Sequence, residues 1–281
     1  MKLTTVCLCL WLGSAPLPMP QIEKCRTAPL DETFSQAVSS GSFGTHLAAI
    51  ESMRNKCWHD YEFVWRAARA YVYAGDLLYL QAIAHNLQGI PATQVKTLLK
   101  RAAKFDKSQK ERVYQMGKAA VPYAMRAVEL APQRIEGQYY ATGAISLYAI
   151  RIGLLRAIRE GLWKKWKRAV RASLHIHSAY SEAGPLRAKG RSYFAMPWPL
   201  RDLSDSENWL RRAVRRAPLS ARNHLYLADT LYRRGKPKEA LPHYDRAARL
   251  VRPLPNGKLS HYMSIIADIQ LSCLRRELAQ Q

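Results

Sequence analysis

An all-α fold of stacked antiparallel helical hairpins is what this sequence predicts, and three observations carry it. The first is residues 218–253. His224, Leu227, Ala228 and Leu231 stand at i, i+3, i+4 and i+7, one face of an α-helix. Gly235 ends that helix, Pro237 suits the first turn of the next, and Ala240, Tyr244 and Ala247 repeat the pattern. The second is residues 61–76, where Val64, Ala67, Ala68 and Tyr71 show the same layout before Gly75-Asp76. The third is a shared closure: Pro132 follows Ala127, and Pro218 follows Ala213, at one common interval. Small residues allow two helices to approach, and bulky ones fill the space between them.

The elements follow in order. Residues 1–20 read as a signal peptide. Lys2 is a positive start, Val6 to Leu12 are a short apolar run, and Gly13-Ser14-Ala15 are small. That run is too short for a permanent membrane span. Neither Cys7 nor Cys25 has the small residues before it that a lipoprotein signal needs. Residues 21–33, with Pro29 and little periodicity, read as a linker, and the helical-repeat domain is expected over 34–281. The leader implies export to the periplasm or beyond. Export permits a Cys25–Cys57 disulfide, against the alternative of two buried thiols. Cys273 lies with Ile265 and Ile269 on one face of the last helix and reads as a core thiol.

Past the linker, Leu47 to Asn55 reads as a helix, and Asp60 is placed to cap the next one. With a turn expected at Gly75-Asp76, Leu80, Ala84 and Leu87 form a second helix that ends at Gly89-Ile90-Pro91. Ala120, Ala124 and Ala127 share the face of a third repeat. Gln138 to Leu155 is long and apolar, but Arg151 and the flanking polar residues suit a buried helix better than a membrane span. Gly161 opens a basic amphipathic helix. Trp163, Trp166, Val170 and Leu174 form its apolar stripe, and Lys164, Arg168 and Arg171 another face. Such a helix suits an anionic membrane surface; the plainer reading is an ordinary second helix of a hairpin. Trp209 to Arg216 and Ser260 to Leu278 supply the last helices, the latter expected to cap the array.

The segment 218–253 resembles a tetratricopeptide repeat, with His224 in place of the usual Trp and Ala228 in place of Gly. More narrowly, Gly190-Arg191-Ser192-Tyr193-Phe194, the run Met196-Pro197-Trp198-Pro199 and the repeat after Pro218 resemble one family. It is the T component (TatT-like) associated with periplasmic TRAP transporters. The resemblance implies a periplasmic α-solenoid with an apolar groove or pore, working beside a solute-binding protein.

Composition and motifs bound the chemistry. Lys and Arg number 44 against 21 acidic residues, a net charge of +23. The charge is scattered, so a solvated basic surface is favoured over nucleic acid; an anionic membrane surface stays open as a partner. His175 and His177 are two apart and diverge on a helix, and His59, His85, His224 and His243 are isolated, so no metal set stands out. No nucleophile elbow, phosphate loop or dinucleotide fingerprint occurs, so no cofactor and no catalysis are expected. Binding is the expected role. In a curved stack one helix of each pair lines the concave side. That places Leu225, Asp229, Tyr232 and Arg233 of the clearest repeat in the groove. Trp65, Arg69, Val72 and Tyr73 are their early counterparts, and Tyr139 and Leu147 the central ones. Aromatic and arginine side chains together suit a protein partner or a small apolar or anionic ligand. The competing reading is packing against neighbouring turns.

Overall fold

The computed structural model describes residues 25–90, 94–251 and 257–280, and the leader lies outside them. Among the described residues there is no strand. The helices are α1 (Ala28–Ser40), α2 (Gly44–Cys57), α3 (Tyr61–Leu87), α4 (Val95–Ala102), α5 (Lys107–Leu130) and α6 (Ile135–Arg159). They continue as α7 (Leu162–His177), α8 (Tyr180–Ala195), α9 (Leu203–Arg216), α10 (Ala221–Arg233), α11 (Pro237–Val251) and α12 (Gly257–Ala279). The fold is all-α, and most neighbouring helices in the chain pack against one another in a stack.

Local chemistry explains the boundaries. The Asp60 carboxylate accepts from the Glu62 N–H at 2.7 Å and the Phe63 N–H at 3.4 Å, capping α3. Asp106 and Gln109 cap α5 reciprocally. Gly235 takes φ 74° between α10 and α11, where a side chain would be strained. The faces read from sequence are in the core: Ala120, Ala124 and Ala127 on α5, Leu227, Ala228 and Leu231 on α10, Ala240 and Tyr244 on α11.

Three expectations are corrected. The linker over 21–33 is too long, because α1 starts at Ala28. Pro29 sits in the first turn, where a missing N–H leaves no bond unmade, and Leu30 is buried. The turn at Gly75-Asp76 does not exist: α3 runs unbroken for 27 residues. Gly75 is there for contact, since a Cβ on it would stand 2.5 Å from Leu147 Cδ1 of α6. Leu80, Ala84 and Leu87 therefore belong to the same helix as Val64. Finally, α12 does not cap an open end with a polar face. It packs on α3, α1 and α4 as well as α11. Met263, Ile266, Ala267, Leu271 and Leu274 are buried in the result. The stack thus bends until its last helix meets an early one.

Cys25 and Cys57 are joined as a disulfide, with Cα atoms 5.8 Å apart. Asp60 also accepts from the Cys25 N–H, so the segment before α1 is tied to the start of α3. Cys273 is buried in the core. By length and composition α6 is long and apolar enough to cross a membrane; here it packs on α3, α5, α7 and α8.

Candidate functional site: a central arginine-lined cavity

Closure of the stack leaves a cavity of about 440 Å³ between α3, α6, α8 and α10. Each helix gives it one face at helical spacing. From α3 come Val72, Asp76 and Tyr79; from α6, Tyr139, Thr142, Gly143, Ser146, Leu147 and Ile150. From α8 come Gly184, Arg187, Ala188, Arg191, Ser192 and Ala195; from α10, Arg222, Tyr226 and Arg233. Small residues let the wall helices close. A Cβ on Gly143 would stand 2.9 Å from Val72 Cγ1, and one on Gly184 would stand 2.5 Å from the Tyr139 hydroxyl.

Five arginines face this space, and their partners differ. Arg222 donates to Asp76 at 2.9 Å, and that carboxylate holds its pKa above the ordinary value against the effect of burial. Arg191 pairs with Asp229 at 3.1 Å. Its guanidinium lies between the Phe194 ring at 4.1 Å and the Tyr226 ring at 4.4 Å. Arg187 is buried and makes no ion pair among the described residues. It donates to the Ser181 and Glu182 carbonyls, to Asn223 and to the Tyr139 hydroxyl. Ser181, Glu182 and Ala183 form a left-handed turn with φ between 50° and 59°, which non-glycine residues adopt at a cost. Arg187 and Asn223 hold that turn from inside the ring.

Arg201 and Arg233 stand apart. Both are exposed, neither pairs with a carboxylate among the described residues, and Arg233 lies over Phe194 at 4.5 Å. Burial, together with the neighbouring Arg201 and Arg191 charges, pushes the Arg233 guanidinium below its ordinary pKa, with Asp229 opposing. These two side chains also line a second space of about 550 Å³, bounded by Lys96, Lys100, Tyr232 and Glu277. The Glu277 carboxylate already accepts from the Tyr232 hydroxyl at 2.7 Å and the Val95 N–H at 3.0 Å. The cavity therefore opens past two arginines into a basic vestibule.

The residues nominated from sequence scatter around this site. Tyr139, Val72, Leu147 and Arg233 line the cavity, and Tyr232 lines the vestibule. Asp229 is one layer behind, holding Arg191 while accepting from Tyr244 and Gln270. Leu225 is buried in the core. Trp65 and Arg69 belong to a different task. Arg69 pairs with Asp31 and covers the Phe34 and Trp65 rings, fastening α1 to α3. Tyr73 packs edge-on against Phe34 at 5.1 Å on the same seam. Asp76, Tyr79, Arg187, Arg191, Arg222 and Tyr226 were missed. The signal for the α10 face is Arg222, Tyr226, Asp229 and Arg233 at i, i+4, i+7 and i+11.

The basic helix α7 is an ordinary hairpin member. Trp166 and Val170 are buried against α6, Trp166 Nε1 donating to Ser146 at 3.1 Å, and Trp163 stacks on Trp166 at 5.1 Å. Lys164, Arg168 and Arg171 remain exposed, but the apolar stripe that would enter a lipid surface is used inside the fold. Among the described residues no group of three or more His, Cys, Asp or Glu is arranged to hold a metal ion.

No protein-family model matches the chain, and no curated protein matches it. Among solved structures it is similar to yeast Tom70, at 13% identity over 92% of this chain and 69% of that one, with a TM-score of 0.31. A superposition that loose carries no argument about function.

Proposed function

We propose that this protein is a non-catalytic helical-repeat binding protein, exported through its leader, which holds a small ligand or a partner's segment at the centre of its ring. One observation carries the reading: the inward faces of four helices meet around open space rather than a filled core. A stack that existed only as structure would gain by filling that space with side chains. The wall also places aromatic rings and guanidinium groups where a ligand would touch them. Its one lining carboxylate, Asp76, is engaged by Arg222, which leaves it poorly placed as a general base.

The narrower part of the proposal is a role beside a TRAP-type transporter in the periplasm, with a solute-binding protein as partner. It rests on the leader-like residues 1–20 and on the resemblance of residues 184–244. Lipid-surface binding through α7 is the weaker alternative, because Trp166 and Val170 are already buried.

The test of the binding reading is native mass spectrometry of the tagged chain purified from its own envelope, beside an Ala188→Phe variant that fills the cavity. An adduct on the wild type that the variant lacks is the expected result. Bare masses for both proteins would remove the cavity from its role. Fractionation of the same tagged chain checks the location: recovery in cytosol would overturn the periplasmic part alone.

A further inference from the structure

The arginines of the ring divide by what they already hold. Arg222 has Asp76, Arg191 has Asp229, and Arg187 has the carbonyls of the left-handed turn. Arg201 and Arg233 have no acid partner among the described residues, and both line the same two spaces. Lys96 and Lys100 add their charge on the vestibule side. The one acid in that lining, Glu277, is already taken by Tyr232 and the Val95 N–H, so four cations face a single carboxylate, and their mutual repulsion favours an anion between them. Behind them the surface changes character: Val72, Leu147 and Ile150 line the inner space together with the aromatic rings. A volume of about 440 Å³ lies within the usual range for small-molecule sites.

We propose that the cavity and its vestibule take an anionic amphiphile, with the acid group between Arg201 and Arg233 and the apolar body inside against Val72, Leu147 and Ile150. This rests on the binding reading above and names its ligand class. The order of polarity decides the orientation. Arg201 and Arg233 are shared with the vestibule, whereas the inner Arg187, Arg191 and Arg222 are already bonded and leave Val72, Leu147 and Ile150 as the apolar part of the wall, so a head-out, tail-in pose matches the charge left to be met. Arg233 lying over Phe194 adds a flat, partly desolvated guanidinium, the geometry that takes a carboxylate or phosphate through two parallel hydrogen bonds.

Calorimetry on the full chain at neutral pH, with decanoate, decyl phosphate, decanol and decylamine as probes, tests the proposal. Either acid should bind about tenfold or more tightly than decanol, the scale of a charge-assisted hydrogen bond, and decylamine should not bind. The preference between decanoate and decyl phosphate distinguishes a carboxylate head from a phosphate one. The double variant Arg201→Ala/Arg233→Ala should remove that advantage while leaving decanol within about twofold. Both side chains are exposed and without an acid partner among the described residues, so the variant should fold, which its melting temperature checks. Arg233→Lys should retain part of the preference, since it keeps the charge and loses the fork. Equal affinity for decanol and the acids would overturn the proposal, as would no binding of any probe. Ala188→Phe separates the two levels. If it blocks probes that do not discriminate by head group, the cavity reading survives and the anionic class falls. If it blocks nothing, the cavity reading falls as well.

Discussion

His224 stands where the repeat pattern carries a tryptophan, and its neighbour is another histidine. The two Nδ1 atoms are 2.9 Å apart, and His224 Nε2 lies 3.0 Å from the Pro218 carbonyl. A carbonyl only accepts, so His224 Nε2–H is the donor there. Its Nδ1 is then the acceptor, and His243 Nδ1–H donates to it. This arrangement needs His224 neutral, because its Nδ1 must accept. Burial lowers both pKa values, and the His224 and Arg211 charges add to the effect on His243, bringing it to about 4 with Glu239 opposing. The sign follows directly. Between the ordinary value of 6.5 and about 4 the unfolded chain binds the proton that the folded His243 refuses. This stabilisation is therefore complete above 6.5 and is lost as pH falls toward 4. The melting temperature should drop between neutral pH and about 5, and His243→Gln should make that drop shallower. Parallel curves for the two proteins would show that the pair does not set the acid limb.

Where helices touch backbone to backbone, single atoms decide. A Cβ on Gly117 of α5 would stand 2.3 Å from the Tyr148 amide nitrogen of α6. Alanine would gain about 0.5–1 kcal/mol of helix preference, less than the roughly 1–3 kcal/mol of forced separation. Gly117→Ala should therefore lower stability in chemical denaturation, whereas Gly44→Ala, with open space around it, should not. The disulfide acts on another element. It closes a separation of 32 residues, so replacing Cys25 and Cys57 by serine should cost about 3–4 kcal/mol, read from the same denaturation curves. These elements show what the residue pattern could reveal. Helix faces and caps were legible, because i, i+4, i+7 spacing and an Asp before a helix are local facts. Gly75 and Gly235 look alike in a sequence, yet one allows contact with Leu147 and the other makes a turn at φ 74°. Only the facing helix distinguishes them. The site was half legible for a related reason. Choosing Leu225 rather than Arg222 and Tyr226 rotates α10 away from the cavity, and which face is inward depends on how the whole stack closes.

At the scale of the molecule, closure and the cavity charge share one carboxylate. Asp229 of α10 is buried; it accepts from Tyr244 of α11 at 2.9 Å and from Gln270 of α12 at 3.2 Å, and it pairs with Arg191 of α8. Burial pushes this carboxyl above its ordinary pKa, with Arg191 and the two hydrogen bonds pulling it back. The group thus ties the closing helix to an arginine of the cavity wall. Asp229→Asn keeps the shape and removes the charge. Leaving a buried partner uncompensated costs about 3–5 kcal/mol, and Arg191 is a quarter exposed, which places the loss at the lower end. For a chain of this size that corresponds to a fall of roughly 6–12 °C in melting temperature. The released Arg191 guanidinium then becomes a third cation for an anion in the cavity. Decanoate at one fixed concentration should therefore raise the melting temperature of Asp229→Asn by more than it raises that of the wild type, since the stabilisation grows with the ratio of free ligand to Kd and reaches about 2.7 kcal/mol at a hundredfold. Equal shifts would mean that Asp229 serves only to close the ring; a larger shift in the variant would mean that the same carboxylate trades closure against affinity.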